Sequence, residues 1–262
     1  MENLLIEAEK FVINLLRDGL KPSFVYHNLS HTQNVVAKTK EIIEGLQIEK
    51  KQVDYLLLAA WFHDVGYTKS IETHEEESVK ILESFLKEHK VSENVILEVS
   101  NLILITRMGE SPKTTLEKII CDADCAHLGS KNFSDYNSLL RKEWELTKGY
   151  EVSDYKWVDE NIEFLKNHRF YTDFTAKNWE KTKSKNLAQL LKNQKKILQE
   201  ATKLKQKNEA LSFKKSKVEV PERGIETMFR VALRNHITLS DIADTKANIL
   251  LSVNAIIISM TL

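Results

Sequence analysis

With 262 residues, 42% of them hydrophobic and no net formal charge, the chain has enough apolar content for a buried core. It has no bulk positive charge that would mark it as a nucleic-acid binder. Seven glycines and three prolines in that length exclude a fold of many short strands and turns and favour long helices. Two cysteines, Cys121 and Cys125, lack zinc-ribbon spacing, so a disulfide framework is not expected and a reducing compartment fits.

The neutral total conceals a gradient. Residues 177–217 hold 13 lysines against Glu180, Glu200 and Glu209, a balance of +10; residues 218–262 carry −1 and residues 1–176 carry −9. An acidic body and a basic stalk call for separate accounts. Three parts are expected: a helical domain over 1–173, a lysine-rich linker over 174–220 and a C-terminal segment over 221–262. The start, "MENLLIEAEKFVINLL", mixes acids with apolar residues and lacks a basic leader, so it does not read as a signal peptide.

In chain order, Leu4, Leu5, Ala8, Phe11, Val12, Leu15 and Leu16 recur at helical spacing and predict a helix over 2–17. Gly19 and Pro22 interrupt it. Ser30, with Gln33 three residues on, has the form of a capping box and opens a second helix to about Gly45. The stretch "VDYLLLAAWF" is apolar nearly all round, so a third helix over 51–65 should be buried, with Gly66 as its stop. Helices over about 74–89 and 92–107 follow. After Pro112 another starts near 113 and carries "LEKIICDADCAHLG" to Gly129; two more lie near 134–148 and 155–170. No segment alternates as a strand would, and the expected class is all-α.

From about 174 the pattern changes. Leu187/Leu190, Gln194/Ile197, Ala201/Leu204 and Asn208/Leu211 fall at the a and d positions of successive heptads, which predicts a coiled coil and a homo-oligomer through 187–211. The alternative is a basic helix packed on its own body. Residues 224–246 are amphipathic, and 247–262, "ANILLSVNAIIISMTL", contain no charge. That run is shorter than the roughly 20 residues of a membrane span. It is expected to be the start of a transmembrane helix, with the lysines upstream on the cytoplasmic side; a buried C-terminal helix is the alternative.

The residues that could carry chemistry are His27, His31, His63, Asp64, His74, Asp122 and Asp124. Imidazoles and carboxylates without thiolates suit a divalent ion such as Mn²⁺, Mg²⁺, Fe²⁺ or Ni²⁺ rather than structural zinc. His31 follows a helix start, where the helix dipole disfavours imidazolium and should keep the ring neutral. Adjacent helical positions diverge by about 100°, so His63 and Asp64 reach one ion only if it lies off the helix end. Asp122 and Asp124, two apart, diverge by about 200°, so one is a ligand and the other a cap, a supporting partner or a salt-bridge acid.

The ordered set "YHNLSHT…LLLAAWFHDVGY…HEEESVKIL…LEKIICDADCAHLG" resembles the HD superfamily of metal-dependent phosphohydrolases, over about residues 20–150. The resemblance implies an all-helical bundle, a divalent metal, and His31, His63, Asp64 and Asp124 as ligands, with Asp64 also orienting the attacking water. His74, Asp122 and His27 are then candidates for a second metal or for support of the first. Thr106 and Arg107 stand where a further histidine is common in two-metal members. Arg107, Lys113 and Lys118 are candidate phosphate partners. A body of −9 favours a nucleotide or cyclic nucleotide over a nucleic acid as substrate. "RNHITLSDIADTKANILLSVNAIIISM" is similar to the start of the membrane effector region of Pycsar-type antiphage defence proteins. That similarity implies a cytoplasmic enzyme or cyclic-nucleotide sensor attached to the inner membrane. A non-enzymatic helical oligomer is the remaining alternative.

Overall fold

The computed structural model describes residues 2–46, 48–215 and 222–261, with side chains of 213–223 and 251–262 outside the description. Ten α-helices account for nearly all of it: α1 (Glu2–Gly19), α2 (Leu29–Glu44), α3 (Lys50–Phe62), α4 (His74–Glu88), α5 (Glu93–Leu104), α6 (Thr115–Asp124), α7 (Phe133–Lys148), α8 (Asp154–Asn167), α9 (Asp173–Lys215) and α10 (Glu222–Thr261). Short 3₁₀ turns at Val65–Thr68 and Cys125–Gly129 extend α3 and α6. No strand occurs among the described residues, so the all-α expectation holds.

α3 is the axis of the core. Tyr55, Leu56, Leu58, Ala59, Ala60, Trp61 and Phe62 are all buried, because α1, α2, α4, α5 and α6 pack around it. α1 presents Leu4, Ala8, Val12 and Leu16 to this core, the i, i+4 spacing of a one-sided helix. Phe11, more than a third exposed, still reaches inward to stack on Phe62 and Phe85.

Several local expectations are corrected. Asn28, not Ser30, caps α2: its carboxamide oxygen accepts from the Ser30 and His31 amides while its own amide donates to Val25 O. α6 starts at Thr115 with a full capping box between Thr114 and Glu117. α3 stops at Phe62, three residues short of the expected end, and Gly66 is not its stop but part of the 3₁₀ turn. A Cβ on Gly66 would sit 1.9 Å from His74 O and 2.7 Å from Ser78 N, so glycine is needed for the close approach of α4 rather than for a helix terminus.

The first compact unit runs from Met1 to Ala201, further than the expected boundary at 173. The opening of α9 belongs to it: Trp179, Lys183 and Leu190 are buried, and Gln194 donates to Asp159 of α8. The first heptads of the expected coiled coil therefore face the chain's own body. Leu204 and Leu211, in the second unit (Thr202–Leu262), are exposed. In α10 the described side chains are exposed throughout. Among the described residues no helix is long and apolar enough to cross a membrane. Most of the run expected to begin a span, 251–262, lies outside the described side chains.

Candidate metal centre

Three helix ends build the site. His31 lies in the first turn of α2, placed by the Asn28 cap. His63 and Asp64 follow the last residue of α3, and Asp124 closes α6. The end of α3 solves the problem of two adjacent ligands. His63 N still donates to Ala59 O, while Asp64 leaves helical geometry with φ −111° and ψ 2° and swings its carboxylate back beside the imidazole. Ser78 locks this turn: its hydroxyl donates to His63 O at 2.7 Å and accepts from Gly66 N at 2.8 Å.

The four side chains converge. His31 Nε2 lies 3.3 Å from His63 Nε2, 3.3 Å from Asp64 Oδ2 and 3.2 Å from Asp124 Oδ1. His63 Nε2 lies 3.2 Å from Asp64 Oδ2 and 3.7 Å from Asp124 Oδ1. His31, His63 and Asp124 offer one ligand atom each, all within 4.8 Å of one another, and Asp64 stands against the two histidines. Neighbouring ligands on one small divalent ion are about 3.0–3.4 Å apart, given bonds of about 2.1 Å. The donors therefore fit such an ion. Asp64 Oδ2 is buried without a well-formed hydrogen bond, the state of an oxygen placed for a cation rather than for a protein donor. His63 Nδ1 is 3.0 Å from Ala60 O, which can only accept, so Nδ1 carries a proton and Nε2 is the nitrogen turned to the cluster.

Electrostatics agrees. Burial alone would depress both histidines, but the Asp124 and Asp64 carboxylates beside them raise His31 to about 10 and also raise His63. In the metal-free site the full carboxylate charges at about 3 Å from His31 act against the half-charge helix dipole that was expected to keep the ring neutral. Burial works against ionising Asp64 and Asp124, yet the two imidazoles hold both carboxyls below their ordinary range. Without a metal the imidazoles are therefore held toward their protonated form beside the two carboxylates, and a bound cation would take the place of those protons.

The other predicted residues divide. Asp122 does not join: its carboxylate accepts from Tyr171 N, Thr172 N and Thr175 Oγ1, fastening α6 to the start of α9. His74 stands at the rim, with Nε2 3.9 Å from Asp64 Oδ1 and 3.3 Å from Glu75 Oε1. His27 pairs instead with Glu143 of α7, which also accepts from the Tyr26 and His27 amides at 2.7 and 2.9 Å. Tyr67 lies between the two, stacked 4.7 Å from His27 and 4.0 Å from His74. Arg107 is engaged by Glu76, two residues past His74. Lys113 precedes α6 and Lys118 lies about 9 Å up the helix axis from Asp124, so neither is brought to the cluster.

Sequence reasoning missed Glu143, Tyr67, Ser78 and a cleft over His31 and Asp124 lined by Tyr26, Asn34, Lys38, His127 and Tyr136 among others. Of the cluster residues Asp124 is the most open, with a quarter of its side chain exposed, so this cleft is the approach to the cluster. His127 Nδ1 lies 3.3 Å from Asp124 O; burial and the charge of His31 push its imidazole down to about 4.

No curated protein and no solved structure matches the chain. Residues 28–129, which contain all four cluster residues from the Asn28 cap to the Gly129 turn, match the family model described as HD domain, a family of metal-binding and generally metal-dependent hydrolase domains, and this supports the HD-domain superfamily for that segment.

Proposed function

We propose that the chain is a metal-dependent phosphohydrolase of the HD type that cleaves a phosphoester of a nucleotide or cyclic nucleotide. The observation that carries the proposal is the convergence of His31, His63, Asp64 and Asp124 at 3.2–3.7 Å, with His31 and Asp124 lining a cleft. A divalent ion bound there supplies Lewis-acid polarisation of a phosphoryl oxygen and acidifies water. The protein supplies the rest. Asp64 turns Oδ2 to the two imidazoles and leaves Oδ1 to orient a water; a carboxyl held this far down serves as an acceptor rather than as a store for the proton. His74, with Nδ1 3.0 Å from Ile71 O and its ring stacked on Tyr67, presents Nε2 toward the same oxygen at 3.9 Å.

A small nucleotide is the preferred substrate class because residues 1–176 carry −9, which repels a polyanion. The proposal extends to coupling with a membrane-associated effector segment in antiphage defence. Its support is the uncharged run 247–262 and the similarity of residues 224–262 to Pycsar-type effectors. A second reading, in which the domain senses rather than hydrolyses, is favoured by one contact. Asn186 of α9 donates to Leu128 O and Ser130 O, in and just after the turn that follows Asp124, so changes at the cluster have a direct route into α9.

The test is metal analysis of the purified chain together with phosphate or nucleoside release from a nucleotide panel. Bound Mn²⁺, Fe²⁺, Ni²⁺ or Mg²⁺ and hydrolysis that both disappear in Asp64→Ala are the expected result. Retention of both in that variant removes the enzymatic proposal. Membrane fractionation of the natural protein tests the effector extension, which fails if the protein stays soluble and binds no cyclic nucleotide.

A further inference from the structure

We infer that the pocket between the end of α8 and the early turns of α9 binds a small organic carboxylate, with its charged head at Arg169 and Lys183 and its apolar body against Leu165, Phe170 and Leu187. The inference does not depend on the phosphohydrolase proposal. The residues that form this pocket fall between 165 and 187, outside the segment 28–129 that matches the HD domain.

Three observations lead to it. First, the space is of the right kind. The pocket holds about 460 Å³ and is open to solvent, within the roughly 300–1,000 Å³ of small-molecule sites. Leu165, Phe170 and Leu187 give part of its wall apolar atoms, so a hydrocarbon placed there leaves water.

Second, the charge is uneven. Lys166, Arg169 and Lys183 line the pocket, with Glu180 as the one carboxylate among the lining side chains. Lys166 is engaged by Glu163 at 2.8 Å and Lys183 by Glu180 at 2.9 Å. Arg169 is exposed and makes no hydrogen bond or ion pair with a described residue, so its charge is the one left open. One uncompensated guanidinium fork matches a carboxylate, which is singly charged and accepts two parallel N–H bonds; a phosphate dianion would bring a charge too many.

Third, donors in the pocket have capacity to spare. Lys183 is only 4% exposed, and its ammonium donates to His168 O at 2.6 Å and faces Glu180, which leaves one of its three protons. His168 Nδ1 is buried with no hydrogen-bond partner among the described residues. Burial and the charge of Lys183 push this imidazole down to about 4, so the ring is neutral and carries one proton. Ser184 adds a hydroxyl from the next position on α9. Unused polar capacity around an open pocket calls for a partner from outside the chain.

The experiment measures equilibrium binding of phenylacetate to the full chain at pH 8, with a chelator present so that no ion bridges the carboxylate to the metal centre. Acetate, which lacks the apolar body, benzyl alcohol, which lacks the charge, and phenylphosphonate, which carries a second charge, are measured beside it. The wild type should bind phenylacetate about tenfold or more tightly than any of the three. Arg169→Gln, at an exposed position, should weaken it by about tenfold, as loss of a charge-assisted hydrogen bond predicts. Ser184→Trp, also at an exposed position, fills the pocket and should abolish binding, while Asp124→Asn should leave it unchanged. Tighter binding of phenylphosphonate, equal affinity in the wild type and both pocket variants, or loss of binding in Asp124→Asn overturns the inference.

Discussion

α6 carries two buried polar clusters, one centred on Asp122 and one on Asp124, and they are built on opposite rules. Around Asp122 every partner is a neutral donor: two backbone amides and the Thr175 hydroxyl, all at 2.6–2.8 Å. Thr172 Oγ1 lies 2.8 Å from that hydroxyl and completes the network. Burial pushes the Asp122 carboxyl up against these bonds. Around Asp124 the partners are ionisable groups crowded nitrogen to nitrogen, and Asp64 Oδ2 is left without a proper donor. A satisfied buried carboxylate fastens one element to another; an unsatisfied charged cluster is arranged for something the chain does not itself contain. Two residues of sequence separate an acid that fastens two elements from one that joins a group able to hold a metal ion.

Exchange of one oxygen for an amide should separate the two clusters most sharply. Asp124→Asn is expected to lower Mn²⁺ affinity by about a hundredfold or more, since it removes a charge from the cluster, with a smaller loss of thermal stability because His31 keeps Asp64 as a partner. Asp122→Asn should do the reverse. Its amide would face the Thr172 and Thr175 donors, costing about 2–4 kcal/mol and about 5–15 °C in Tm, with metal affinity retained. Calorimetry and metal titration of both variants decide the matter, and equal metal loss in the two would erase the distinction.

The second prediction concerns pH. Without metal, His31 is raised to about 10, so the stability it contributes is complete below about 6.5 and is lost as pH rises through about 10. Asp64 and Asp124 are depressed, so their contribution is present above about 3.9 and is lost as pH falls through their folded values. The metal-free protein should therefore be most stable between about pH 4 and 6.5. Metal binding must displace protons from the imidazoles, so the rise in Tm produced by Mn²⁺ should grow from pH 6 to pH 8. Scanning calorimetry with Mn²⁺ and with a chelator measures this; a larger rise at the lower pH would mean that the histidines are not ligands.

Much of this was legible in the chain. Helix number and order follow from apolar spacing, and the apolar run before His63 announces a buried helix whose end faces the core. What was not legible depends on contacts across space. Asn28 and Ser30 are both good caps two residues apart, and only the Asn28 bond to Val25 O selects between them. Periodicity says that Asp122 and Asp124 point apart but not which points where; Thr175, more than fifty residues on, settles that. The first heptads of α9 pack on the chain's own body, and a stripe in the sequence looks the same whether its partner is that body or another copy. Glu143 gave no signal at all, set in a charged stretch of α7 that reads as solvated surface.

Glu143 shares features of both clusters and supports the smallest prediction. Like Asp122 it accepts two backbone amides, but its third partner is His27, whose ring lies 5.5 Å from that of the cluster residue His31. If it belongs with the structural acids, Glu143→Gln keeps one acceptor oxygen, loses about 1–2 kcal/mol, and moves Mn²⁺ affinity by less than about tenfold. Backbone contacts should dominate here, because the Tyr26 and His27 amides hold the loop that leads into Asn28, whereas the His27 ring only touches the cluster edge-on. Thermal melting and Mn²⁺ titration of this variant beside Asp124→Asn give the answer. An affinity loss as large as that of Asp124→Asn would place His27 and Glu143 within the metal centre, and the functional side of the molecule would extend to α7.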